Sequence, residues 1–108
     1  MATLRAKSSA DVMSDPIVLH SHAASRFEAT VDGHLCVAEY RTQDGVMSIN
    51  HTYVPPPLEG RGMAAQLVAA ALVHAREQGL RVRPVCSYVA AYMRRRPETH
   101  DLLEASHG

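Results

Sequence analysis

Tryptophan is absent, phenylalanine occurs once, and aromatic residues make up 5% of the 108 positions. Proteins that grip single-stranded nucleic acid stack bases on rings interleaved with basic side chains. With so few rings, no nucleic-acid partner is expected. No lysine follows Lys7, which removes the GxxxxGK loop of the P-loop nucleotide-binding proteins. The two cysteines, Cys36 and Cys86, lie far apart with no CxxC or CxxH spacing. Neither a disulfide framework nor a zinc site is indicated, and both thiols are expected to be reduced. His20-Ser21-His22 has the look of a ligand pair but lacks supporting carboxylates or thiolates, so no metal is expected. No run approaches the ~18 apolar residues of a membrane span, and the opening "MATLRAKSSADVMSDP" lacks the apolar core of a signal peptide. The expectation is a cytoplasmic protein with no membrane association.

What is present is the balance of a globular domain, with 46% hydrophobic and 20% charged residues and a formal net charge of zero. One hydrophobic core is the natural size for this length. Residues 1–16 are small and polar and end in the turn signal Asp15-Pro16, so they are read as a flexible leader to a single domain over 17–108. Charge is unevenly spread. Between Val54 and Arg96 arginines exceed glutamates by five, an excess that favours an anionic ligand.

From Ile17 onward apolar and polar residues alternate, punctuated by Asp32-Gly33 and Asp44-Gly45, the dipeptides of tight hairpin turns. The spacing predicts an antiparallel meander with strands over 27–31, 35–40 and 46–54. In the last strand Met47, Ile49, His51 and Tyr53 are expected on one face, which puts His51 on an apolar side. Pro55-Pro56-Pro57 then removes successive backbone donors and is expected to end that strand's ladder. A helical period over 60–78 carries Met63, Leu67, Val68, Ala71, Leu72 and Ala75 on one face, closed by Gly79. "LRVRPVCS" reads as a strand. Strand, helix and strand form a βαβ unit with parallel strands. Ser87 is the expected cap of a short helix, "YVAAYMRRR", stopped by Pro97. The fold class is α/β (α+β): a meander followed by a βαβ unit and a short C-terminal helix.

The stretch "PPPLEGRGMAAQL" poses the functional question, because two glycines flank Arg61 where the long helix begins. One reading is a tight strand-to-helix turn. The other is an anion site: first-turn amides and the helix dipole attract a phosphate, Gly60 and Gly62 leave the backbone bare, and Arg61 adds a charge-assisted hydrogen bond. Met63 and Ala64 would add their amides, while Glu59 is expected to point away. "GRGMAA" also fits the dinucleotide pattern GxGxxA, but no acidic residue ends the next strand, as that fold requires.

Meander, broken strand, xGxG turn, long helix, parallel strand and short helix together resemble the GNAT acetyltransferase fold. "HTYV", "GRGMA" and "PVCSYV" in this order, with "RFEATVDG" and "VAEY" upstream, resemble its smallest single-domain subfamily over Arg26 to Leu103. Pro57 stands where that family commonly has Gln or Arg, and its usual Asn after the second parallel strand has no counterpart. The resemblance implies acetyl-CoA as cofactor, with its pyrophosphate at the turn and its pantetheine between splayed parallel strands. Backbone groups of Tyr53, Val54 and of 85–87, Ser87 included, would pair with that arm as a pseudo-strand. Tyr92 is a further candidate contact. His51 and Cys86 are the implied catalytic pair, His51 as base and Cys86 either lining the site or taking the acetyl group. Without that resemblance, His51 reads as a core histidine with its polar tip satisfied and Cys86 as a small buried hydrophobe. Two functions stay open: an acetyl-CoA-dependent N-acetyltransferase acting on an unidentified amine, or a non-catalytic CoA-binding module acting through a protein partner.

Overall fold

The computed structural model describes residues 17–104. The expected leader lies outside them. A five-stranded sheet runs in chain order: β1 (Leu19–Ser21), β2 (Arg26–Val31), β3 (His34–Gln43), β4 (Val46–Tyr53) and β5 (Arg81–Pro84), with helices α1 (Met63–Glu77) and α2 (Ser87–Arg94). The first four strands pair antiparallel and β5 joins β4 in parallel. β1 was not anticipated, since three residues leave too short a pattern.

Both Asp-Gly turns carry two successive positive φ angles (Asp32 52°, Gly33 77°; Asp44 54°, Gly45 76°), the twist that lets strands fold back tightly. Alternation on the strands places Phe27, Ala29, Cys36, Ala38, Met47 and Ile49 in the core. Against them lie Met63, Leu67, Val68, Ala71, Leu72 and Ala75, the whole apolar stripe read from the sequence. Gly79, at φ 69°, ends α1 in a Schellman motif: the Leu80 N–H donates to Ala75 O (2.8 Å) and the Gly79 N–H to Arg76 O (3.3 Å). A 3-10 segment, Pro97–Leu102, then returns to β5, where the Glu104 N–H reaches Val82 O (2.9 Å).

Strict alternation and the proline run each mislead at one point. Glu39 pairs with His51 but Tyr40 pairs with Ile49, so Asn50 is an extra residue, a β-bulge that shifts every later side chain to the opposite face. His51 and Tyr53 therefore do not share a face with Met47 and Ile49, as strict alternation predicted; both are exposed. With its amide turned so that the nitrogen faces the two carbonyls, the orientation that satisfies both, Asn50 donates to Glu39 O (3.2 Å) and Ser48 O (2.9 Å) and fastens the bulge. The origin of the splay also differs from expectation. The three prolines follow Tyr53, yet β4 and β5 already part after the pair Ile49–Pro84. Pro84 has no N–H to give, the Val85 N–H turns back to Arg83 O (3.0 Å), and the Cys86 N–H makes the last link, to Ile49 O (3.0 Å). The Cys86 carbonyl then accepts from the Ala90 N–H inside α2 (3.0 Å).

Candidate active site

The gap opens on two faces. On the helix-bearing face, a cavity of about 360 Å³ lies between the end of β4, the glycine turn and the start of α2, bounded by Val54, Leu58, Glu59, Gly60, Gly62, Met63, Ala64, Ala65 and Tyr88. The turn is built by backbone requirement: Gly60 sits at φ 83° and Gly62 at φ 77°, conformations that cost other residues about 1–2 kcal/mol. A β-carbon at either position would meet no protein atom within 4 Å, so the glycines leave open space beside the main chain. The helix proper begins at Met63, later than periodicity suggested, with Gly62 as its cap. Helical bonding starts with the Gln66 N–H to Gly62 O (3.1 Å), which leaves the amides of Met63, Ala64 and Ala65 without helical acceptors. The Arg61 amide is not free, since it donates to Leu58 O (3.3 Å). The Arg61 side chain lies 3.7 Å from Asp32, both of them exposed. Glu59, exposed, is one of the residues bordering the cavity.

Cys86 borders the gap on this same face, and its partner across it is Thr52, with Oγ1 and Sγ 3.5 Å apart. Thr52 pairs with buried Ala38, which confirms that the bulge turned it inward. Cys86, not Ser87, is the N-cap of α2, with extended backbone (φ −69°, ψ 132°). Burial pushes the Cys86 thiol up, but hydrogen bonding from the Thr52 hydroxyl and from the amides of Val89, Tyr88 and Thr52 outweighs it, and the net shift is downward. This is the setting in which a thiolate is stabilised at a helix start. Cys36 is its opposite: fully buried, with burial alone pushing its thiol up.

The other face of the gap is bare sheet. His51 is exposed there, opposite Glu39 on β3, and Tyr53, 49% exposed, stands opposite Val37. His51 and Cys86 thus flank the gap from opposite faces, an arrangement that depends on the bulge. Ser87 is exposed at the first turn of α2. Tyr92 does not line the glycine-turn cavity. Its ring lies under the Arg96 guanidinium, 3.7 Å from the centroid, in a neighbouring cavity of about 200 Å³ that Ala69 also borders. Tyr88 and Ala65, each four residues earlier, line the glycine-turn cavity, so the two cavities follow one another along α1 and α2. Thr52 and Asn50 were missed in the sequence, and Tyr88 was read only as a packing partner. A bulge leaves no compositional mark, and only an unplaced Asn inside a strand hinted at it. Among the described residues no group of side chains is arranged to hold a metal ion, and no helix is long and apolar enough to cross a membrane.

A family model described as GCN5-related N-acetyl-transferase matches residues 26–102. Among solved structures, the chain is similar to the solution structure of a "GCN5-like putative N-acetyltransferase" from Staphylococcus aureus. The TM-score is 0.68 at 26% identity, covering 87% of this chain and 94% of that one.

Proposed function

The chain belongs to the GCN5-related N-acetyltransferase family, and from that premise we propose that it moves an acetyl group from acetyl-CoA to an amine that arrives on the opposite face of the sheet. The observation that carries this reading is the two-faced gap, with an anion-ready turn and a cavity on one side and an open sheet face with a histidine on the other. The turn suits a diphosphate by three features: uncapped amides at Met63, Ala64 and Ala65, clear space at Gly60 and Gly62, and Arg61 close by. Backbone of Tyr53, Val54 and 85–87 borders the gap, where an amide-bearing arm would find main-chain partners. Further along the helices, Tyr92 and Arg96 offer a ring and a cation to the nucleotide end, and Ser87 lies beside the entry.

In the transfer, the amine nitrogen forms a C–N bond to the thioester carbonyl and the C–S bond breaks. His51, directly or through a water, takes the proton that the ammonium must lose, imidazole being the side chain that exchanges protons near neutral pH. Cys86 stands where the departing thiolate forms and can return a proton to it. A second reading has a specific observation in its favour, the downward shift of the Cys86 thiol: the sulfur itself takes the acetyl group, releasing CoA, and passes it to the amine. A screen with isotopically labelled acetyl-CoA tests the function, with acetylated amines identified by mass spectrometry. His51→Ala and Cys86→Ala should both lose transfer while CoA still raises the melting temperature. Full turnover in either variant removes that residue from the chemistry, and an acetyl adduct on Cys86 before amine is added selects the covalent route.

A further inference from the structure

We propose that a second cavity, on the bare face beside the gap, holds a carboxylate of the acceptor, so that the amine acetylated here is an aminocarboxylate; this rests on the acetyl-transfer reading. The cavity measures about 390 Å³ and includes Arg41, Gln43, Asp44, Ser48, Arg83 and Glu104 in its wall. Strand register makes it an ordered site: Arg41 is opposite Ser48 on β4, and Ser48 is opposite Arg83 on β5. Two guanidinium groups therefore flank one hydroxyl in a single row across three strands. That row already binds a carboxylate. Glu104 takes Arg83 through two bonds, Nε to Oε1 at 2.7 Å and Nη2 to Oε2 at 2.6 Å, the forked geometry by which arginine recognises such groups. The Arg41 side chain forms no ion pair or hydrogen bond with another described residue.

The neighbouring row toward the gap is Glu39 opposite His51. Directly paired residues project to the same face, so both rows look outward together. Glu39 and Arg41 are two residues apart on β3, about 7 Å along the strand, within the swing of an arginine side chain. A cationic row for a carboxylate thus adjoins a carboxylate and an imidazole for an ammonium, next to the thioester position. A molecule with both groups satisfies both rows, whereas a simple amine leaves Arg41 without a partner. Glu104 is the internal occupant of the Arg83 side and gives way when the acceptor carboxylate arrives.

The test compares α- and ω-amino acids with their carboxamides and decarboxylated amines. Two readouts are used with the whole chain: acetyl transfer, and shifts of backbone amide signals in a 15N-labelled sample. The acids should show a kcat/KM about tenfold or more above their carboxamides, and should move the Ser48 and Arg83 signals without any turnover. Arg41→Gln should shrink the acid-to-carboxamide ratio to below about threefold, and Glu104→Gln should enlarge it. Equal kcat/KM for acids and carboxamides, with CoA bound and acetyl transferred, overturns the aminocarboxylate assignment and leaves the transferase reading standing. So do ratios that neither variant changes. A chain that shows no melting shift with CoA fails at the transferase reading instead.

Discussion

Gly62→Ala isolates the glycine turn, and Gly79→Ala at the other end of the same helix is its control. Both glycines sit in the left-handed region, at φ 77° and 69°, and an added β-carbon meets no protein atom within 4 Å at either. Each substitution therefore costs only backbone strain, about 1–2 kcal/mol, and the two melting temperatures should fall alike, by roughly 4–8 °C for each kcal/mol. The variants part when CoA is added. At about 100 times its dissociation constant, CoA stabilises the native state by about 2.7 kcal/mol, and Gly79→Ala keeps that increment in full. Gly62→Ala places a methyl group where the diphosphate approaches the amides of Met63 and Ala64. Its affinity should fall at least tenfold, removing about 1.4 kcal/mol of the ligand's stabilisation. Differential scanning fluorimetry over a CoA titration reads both effects. Equal CoA shifts in the two variants would refute the assignment of the diphosphate to this turn, whatever their stabilities.

Three further outcomes are expected from particular contacts. Native alkylation should label Cys86 well ahead of buried Cys36, with a rate that climbs at lower pH than for an unperturbed thiol; Thr52→Val should move that climb upward, and equal labelling of the two thiols counts against an activated Cys86. Asn50→Ala removes two hydrogen bonds that fasten the bulge. About 1–2 kcal/mol of stability should go with them, and kcat more than KM for acetyl-CoA, measured by denaturation and steady-state kinetics; wild-type kcat would show that the bulge does not aim His51. His20 stacks on Phe27, bonds Tyr40 Oη and neighbours His22 and His74. Burial first, then its two histidine neighbours, holds its pKa below the ordinary value. Because the folded state resists that protonation, stability is complete above about pH 6.5 and drains away as pH falls toward the depressed folded value. Denaturation midpoints for wild type and His20→Phe across that range check it, and parallel pH profiles would assign the acid loss elsewhere.

The sequence made some features plain and hid others for definite reasons. The apolar stripe of α1 repeats at helical spacing and ends at a glycine whose backbone conformation demands one, so helix and terminus were both readable. The Asp-Gly hairpins were readable because the turn itself selects the dipeptide. The bulge was not, because Asn50 is polar in either register, and a strict two-residue alternation carried His51 to the wrong face and hid Thr52. The cap of α2 was displaced by one position for a similar reason. Ser87 is the commoner capping type, but the extended backbone at Cys86 brings the chain into its helix one residue sooner. Tyr88 and Tyr92 fit the helical repeat together, and only the packed helices reveal that a single turn separates two cavities.

The gap between β4 and β5 is opened from both sides by independent means, and this bears on how a ligand can use it. On β4 the extra residue Asn50 throws the ladder out of step. On β5 Pro84 cannot donate and the Val85 amide is engaged with Arg83 O. Closing the strands would recover few bonds, because α2 already claims the Cys86 carbonyl. A parted pair of strands normally leaves an edge that invites pairing with another chain, yet here the edge is short and bounded by the helix start and the proline run. The opening is consequently a ground-state feature that binding does not have to create. An extended amide chain entering it gains main-chain hydrogen bonds without breaking a ladder, which keeps the conformational cost of association low. The same one-residue insertion also exchanges the faces that His51 and Thr52 take, turning His51 outward and Thr52 toward Cys86. One bulge thus decides which side chains border the opening on each face, exposed His51 on one and Thr52, beside the Cys86 thiol, on the other.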